Sequence, residues 1–248
     1  SFYRIGNLAA KDGFTRGNNP APDAQTVDPD AAVDRSRILD LTTQMDADGK
    51  LTWNAPAGDW TILRFGYTPT GKQNHPASAE GIGLECDKMS REAVRAHFAG
   101  MMDKVIGDVG PLAGKTLKHS LIDSYEVFAQ NWTPLMREEF QRRCGYDMLP
   151  FLPVMTGRVV GSLDLSERFL WDLRRTIADL FAENYFGYFA ELLHQRGMLL
   201  SAEPYGNGGF DDITSGSKAD VPMSEFWAGQ GNSNQNSKLA SSIAHTFG

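Results

Sequence analysis

Three short segments each set a carboxylate beside an aromatic ring where an apolar strand should end. They are Leu121-Ile122-Asp123-Ser124-Tyr125-Glu126, Ala202-Glu203-Pro204-Tyr205-Gly206 and Ser224-Glu225-Phe226-Trp227. A carboxylate at the end of an apolar strand is badly placed for packing but well placed for moving a proton. A neighbouring ring can raise its pKa or stack on a sugar. Glycoside hydrolysis uses this equipment: one carboxylic acid protonates the leaving oxygen, and a second carboxylate activates water or attacks the anomeric carbon. A single strand-end Glu is more often a helix cap or an ion-pair partner. Three in successive strand ends, each with a ring beside it, favour a site at the carboxyl ends of barrel strands. Asp123 is either a ligand or an anchor for a neighbouring loop. His119 lies on the strand that leads into the first segment and is a candidate substrate contact. Asp211-Asp212, in a Gly-rich loop, suits turn chemistry better than a hard-cation site.

The elements that must hold these segments follow from hydrophobic period and punctuation. The first 35 residues are rich in Gly, Pro, Asn and Asp and read as a loop-rich segment, 1–35. A β-rich stretch follows, with strands expected at Ile38–Leu41, Leu51–Trp53 and, most strongly, Trp60–Tyr67, and a tight turn at Asp46–Gly49. After Asp87 the period changes. Ser90 caps a helix running to Val109, with Val94, Phe98, Met101, Met102 and Val105 on its apolar face, and Gly110-Pro111 ends it. A strand over Leu117–Asp123 precedes a helix that begins at Thr133-Pro134 and closes at Cys144-Gly145. The longest helix runs from Ser166 to a stop at Gly197. Strands at Met198–Glu203 and Val221–Trp227 and a final helix complete the chain. Strand and helix alternate, which implies parallel strands with crossover helices. No Gly-x-Gly-x-x-Gly or Walker loop is present, so a barrel is favoured over a nucleotide-binding sheet. The expected fold is α/β: a partial (β/α)8 TIM-type barrel over residues 36–248, truncated at both ends, with a β-rich N-terminal stretch.

Composition bounds the partners. With 41% hydrophobic and 22% charged residues the chain is ordinary for a globular protein. A net charge of −7 makes it a poor nucleic-acid binder. No basic run suggests a membrane surface, and no apolar run is long enough to span one. Cys86 and Cys144 cannot build a disulfide framework, and neither has zinc-site spacing. Metal ligands and oligomeric state are not legible.

Trp60 to Lys72 (WTILRFGYTPTGK), Gly83 to Lys88 (GLECDK), Asp123 to Glu126 (DSYE), Ala202 to Gly206 (AEPYG) and Ser224 to Trp227 (SEFW) resemble the α-L-rhamnosidases of glycoside hydrolase family 106. The resemblance covers about residues 25–248 and rests on several motifs in the right order. It implies a (β/α)8-type catalytic domain, an inverting mechanism on terminal α-L-rhamnosyl residues, and a calcium ion near the site. It also implies an exported bacterial protein, periplasmic or extracellular, acting on plant polysaccharides or glycosides. By position, Glu126 resembles the general acid and Glu225 a further active-site carboxylate. The family pattern continues beyond Gly248 with another strand bearing a Glu, so the general base is either Glu225 or a residue outside this chain. Glu203, Tyr205, Trp227, Asp123, Tyr125 and His119 are the expected substrate contacts, with Glu203 either orienting substrate or holding the cation. The alternatives are a retaining glycosidase of another sugar class and a non-catalytic carbohydrate-binding barrel.

Overall fold

Alternation of strand and helix predicts parallel pairing, and three strands pair in that way. The structure is a computed structural model that describes residues 31–127, 130–206, 208–226 and 234–248. Their sheet has the order β1 (His119–Ile122), β2 (Leu199–Ala202), β3 (Val221–Pro222), all parallel. Ile122 pairs with Ala202, and Ala202 with Pro222, so the three strands finish level with one another. The ladder continues past the strand ends: the Glu203 N–H donates to the Ile122 carbonyl (2.9 Å) and the Met223 N–H to the Ala202 carbonyl (2.7 Å).

The described residues fall into two compact units. One comprises residues 69–136 and 174–248 and contains the sheet. Its first helix, α1 (Arg91–Val109), starts where Ser90 accepts a hydrogen bond from the Ala93 N–H and stops at Gly110, whose φ is +52°. Val94, Phe98 and Met102 are its buried stripe. Phe98 meets Phe189 edge to face at 5.0 Å, on the helix α2 (Tyr188–His194) that packs against β2. Ile122, Leu200 and Ala202 face these helices and are buried. The opposite face of the same strands carries Leu121, Leu199 and Val221, all exposed.

The expected long helix is interrupted. An α-helix (Leu163–Leu180) passes into a π-helical turn (Phe181–Gly187) before α2. The wider turn brings Phe181 and Phe186, five residues apart, both into the core, where each ring meets Phe210 (5.3 and 5.8 Å). Gly197 ends the run at φ +68°, as expected.

The other unit comprises residues 31–68 and 137–173. Its core is a cluster of Phe140, Tyr146, Phe151 and Phe169, with Phe151 stacked on Phe169 at 5.5 Å. Here the expected strands do not form. Thr42–Gln44 is a single 3-10 turn, Leu51 makes one isolated bridge with Met45, and no ladder covers residues 60–67. A strand exists only where a neighbour takes its N–H and C=O groups. Trp60, Ile62, Phe65 and Tyr67 have the right residue types but stand exposed beside no described strand. The turn at Asp46–Gly49 does form: the Asp46 carboxylate accepts from the N–H groups of Asp48 and Lys50, and Gly49 adopts φ +78°. The helix expected from Thr133 begins at Met136 instead, and Gly145 follows its end at φ +80°.

Candidate active site

Because β1, β2 and β3 end level, the residues that follow them converge. Asp123 follows β1, Glu203 follows β2, and Glu225 lies three residues beyond β3. Glu203 is only 8% exposed. Its carboxyl is pushed above the ordinary glutamate range, first by burial and then by its hydrogen bond with Asp123. The negative charges of Asp123 and Glu225 add to the effect, while the Tyr205 hydroxyl opposes it. A second carboxyl beside a buried one makes ionisation of Glu203 costlier, because like charges repel there.

Tyr205 ties this group together. Its hydroxyl lies beside the Glu203 carboxyl and accepts the Glu225 backbone N–H at 3.2 Å. Burial and the Glu203 carboxyl push its own ionisation well above the usual tyrosine range. The bridge thus links the end of β2 to the loop after β3, and it occupies the polar end of the ring that was expected to meet substrate.

The loop after β1 is fixed by the same neighbour. The Tyr125 N–H donates to the Tyr205 carbonyl (2.8 Å), and Tyr125 makes a parallel bridge with Gly206. Gly206 is required there: its φ is +143°, and a Cβ would sit 1.8 Å from the Tyr125 carbonyl oxygen. Tyr125, 4% exposed, turns its ring inward against Phe181 and Phe210, so it anchors the loop rather than presenting a surface to a sugar. Glu126, next along the loop, is exposed and accepts a hydrogen bond from the Ser124 hydroxyl at 3.0 Å.

The structure therefore gathers Asp123, Glu203, Tyr205 and Glu225, while Glu126 stands exposed further along the β1 loop. It does not bring His119 to this end. His119 begins β1, four residues before Asp123, and its Nδ1 lies 3.0 Å from the Ser201 hydroxyl. At about 3.3 Å per residue it stands roughly 13 Å away along the strand. Trp227 lies outside the described residues. Phe226, beside Glu225, is 70% exposed and offers the ring at this edge that the sequence reading passed over. Asp211 caps the short helix Asp212–Gly216, accepting the Thr214 N–H at 2.6 Å, which bears out turn chemistry. Among the described residues no three His, Cys, Asp or Glu side chains form a group that could hold a metal ion. The oxygen donors at the strand ends suit a hard cation chemically, but their arrangement does not fit one, and calcium takes part in none of the steps below.

A family model described as alpha-L-rhamnosidase, glycoside hydrolase 106, matches residues 1–248. The chain belongs to that family. A protein of Formosa agariphila named "Putative beta-glucuronidase" is 43% identical over 231 residues, which is 93% of this chain and 20% of the relative. The structure of a rhamnosidase from Novosphingobium sp. PP1Y is similar with a TM-score of 0.73 and 35% identity, over 87% of this chain and 22% of that one. The chain thus spans about a fifth of the length of both. The expectation of a family 106 member is met, as is that of a mixed α/β fold with parallel strands. No helix of the described residues is long and apolar enough to cross a membrane.

Proposed function

We propose that the polypeptide to which this chain belongs hydrolyses terminal α-L-rhamnosyl residues of plant polysaccharides or glycosides, with inversion. The observation that carries this is the convergence of Asp123, Glu203 and Glu225 at the ends of three parallel strands, with Glu126 exposed on the loop that follows Asp123. In this reading Glu126 protonates the glycosidic oxygen as the bond to the anomeric carbon breaks. A water attacks that carbon from the opposite face and gives its proton to a carboxylate, for which Glu225 is the candidate in this chain. Glu203, held toward its protonated form, orients Asp123 and keeps negative charge in the site down. The exposed face of the sheet, with Leu121, Leu199 and Val221, supports closure into a (β/α)8 barrel, because parallel sheets are covered on both faces. The family reading carries with it an exported, periplasmic or extracellular enzyme.

The relative named for beta-glucuronidase favours a second reading, cleavage of a uronide. The site argues against it. The acidic group of Asp123, Glu225 and a Glu203 that resists ionisation disfavours a sugar that carries its own carboxylate, whereas rhamnose is neutral. The test is to assay the full polypeptide on aryl and natural α-L-rhamnosides and β-glucuronides, with calcium and with chelator, and to follow the product anomer by NMR. Release of rhamnose as the inverted anomer is expected. Release of glucuronate alone would replace the substrate assignment, a retained anomer would replace the mechanism, and sugar binding without turnover would leave a binding barrel. The chelator arm reports on calcium separately.

A further inference from the structure

A buried polar cluster built on Lys88 lies outside the carboxylate group and has no part in the chemistry above. The Lys88 side chain is 6% exposed and its ammonium is paired with Glu85. The same Nζ lies 5.3 Å from the centre of the Tyr125 ring and 5.4 Å from that of Tyr185, on the π-helical turn. The stretch that carries it is strapped down on every side. The Gln130 side chain accepts the Lys88 N–H (3.2 Å) and donates to the Cys86 carbonyl (3.0 Å). Asp87 accepts the Thr133 hydroxyl (2.7 Å), and the Asn184 amide donates to the Met89 carbonyl (2.7 Å). A lysine is almost never this buried unless paired, so an ammonium held under one ring of a surface loop is informative.

We propose that Lys88 is a positioning residue: with Glu85 it fixes the Tyr125 ring, and through Tyr125 it sets the loop that carries Asp123 and Glu126. The inference rests on the reading of that loop as bearer of the general acid. Phe181 and Phe210 meet the ring nearly at right angles, and the cation holds it electrostatically. Removing the cation leaves the Glu85 carboxylate uncompensated beside both tyrosine rings, and the loop loses one of its fixed points. A small displacement of an acid from its leaving group costs far more in turnover than in binding.

The test is Lys88→Met in the full polypeptide, with folding checked by circular dichroism and thermal melting. On a rhamnoside with a poor leaving group, kcat is expected to fall roughly 10²-fold. The fall should be smaller on an activated aryl rhamnoside, which needs less protonation, and KM should stay within about twofold. The Tyr125 amide should exchange with solvent roughly tenfold faster while the β2 amides keep their rates. Lys88→Arg, which keeps a cation over the rings, should recover much of both. Full kcat in folded Lys88→Met overturns the proposal, whatever happens to exchange, and so does a loss of kcat without faster Tyr125 exchange. If Lys88→Met does not fold, Glu85→Gln is judged by the same two measurements. If the wild-type polypeptide cleaves no glycoside, the hydrolase reading fails by itself, and the exchange data alone decide whether Lys88 holds the loop.

Discussion

The carboxyl of Glu203, buried at the end of β2, lies beside that of Asp123 at the end of the neighbouring strand β1, which with burial holds it above the ordinary glutamate range. The pairing has a signed consequence for stability. Below the ordinary glutamate value of 4.5, Glu203 is protonated folded and unfolded, and its full contribution is present. As pH rises past that value, the unfolded chain gives up the proton while the folded one keeps it, so stability falls until the raised folded value is passed. Glu203→Gln keeps an acceptor for Tyr205 and supplies an amide donor to Asp123, and it cannot ionise. Its melting temperature should exceed that of wild type at pH 7, and the difference should vanish near pH 4. Parallel melting curves for the two proteins across that range would contradict the pairing.

Glu126 and Glu203 differ in environment, and that separates their roles. Glu126 is exposed and touched by the Ser124 hydroxyl, whereas Glu203 is buried among carboxyls and a tyrosine. Glu126→Gln should lower kcat on an unactivated rhamnoside by roughly 10²–10⁴-fold, the range for loss of a general acid, with the fold intact. An activated aryl rhamnoside should recover much of that loss, whereas for Glu203→Gln the choice of leaving group should matter little. A Glu126→Gln enzyme with wild-type turnover on the unactivated substrate would remove Glu126 from the mechanism.

The strand ends were legible in the sequence because two local signals coincide there: a short apolar run, then a carboxylate beside a ring. Asp123, Glu203 and Glu225 do converge for that reason. Side-chain direction was not legible. Tyr125 and Tyr205 have the residue type of a sugar platform, yet one is buried as an anchor and the other spends its hydroxyl on Glu203 and Glu225. Those roles depend on Phe181, Phe210 and the turn at Gly206, all distant from Tyr125 in sequence. Lys88 and Glu85 lie within the GLECDK stretch, but nothing local shows that the ammonium ends under two rings. Trp60–Tyr67 shows the reverse case. Its residue types specify a strand, and pairing, which sequence period does not encode, is what the described residues lack there.

Gly206 allows the loops after β1 and β2 to touch. Its positive φ already strains any other residue, and an added Cβ would meet the Tyr125 backbone, which is held by its own hydrogen bond to Tyr205 and cannot retreat cheaply. Gly206→Ala should destabilise the protein by at least ~2 kcal/mol. It should also lower activity, because the same bridge aligns Asp123 with Glu203. Denaturant titration with turnover per folded molecule measures both. A variant as stable and active as wild type would mean that the close approach at Tyr125 is not maintained.

Tyr205→Phe distinguishes a bridging tyrosine from a stacking one. The substitution keeps the ring, so a ring that served only to stack on sugar would leave kcat and KM nearly unchanged. As a bridge, the hydroxyl does two things: beside Glu203 it holds that carboxyl lower than burial alone would, and it accepts the Glu225 N–H at 3.2 Å. Its loss should push Glu203 further up, so the fall in stability on raising the pH should extend to higher pH than in wild type. The loop bearing Glu225 loses its tie to β2, and kcat should fall by about tenfold with KM little altered, which corresponds to about 1.4 kcal/mol of lost transition-state stabilisation. Stability as a function of pH and the kcat-against-KM split are the measurements. An unchanged kcat would return Tyr205 to the substrate-stacking role that its residue type alone suggests.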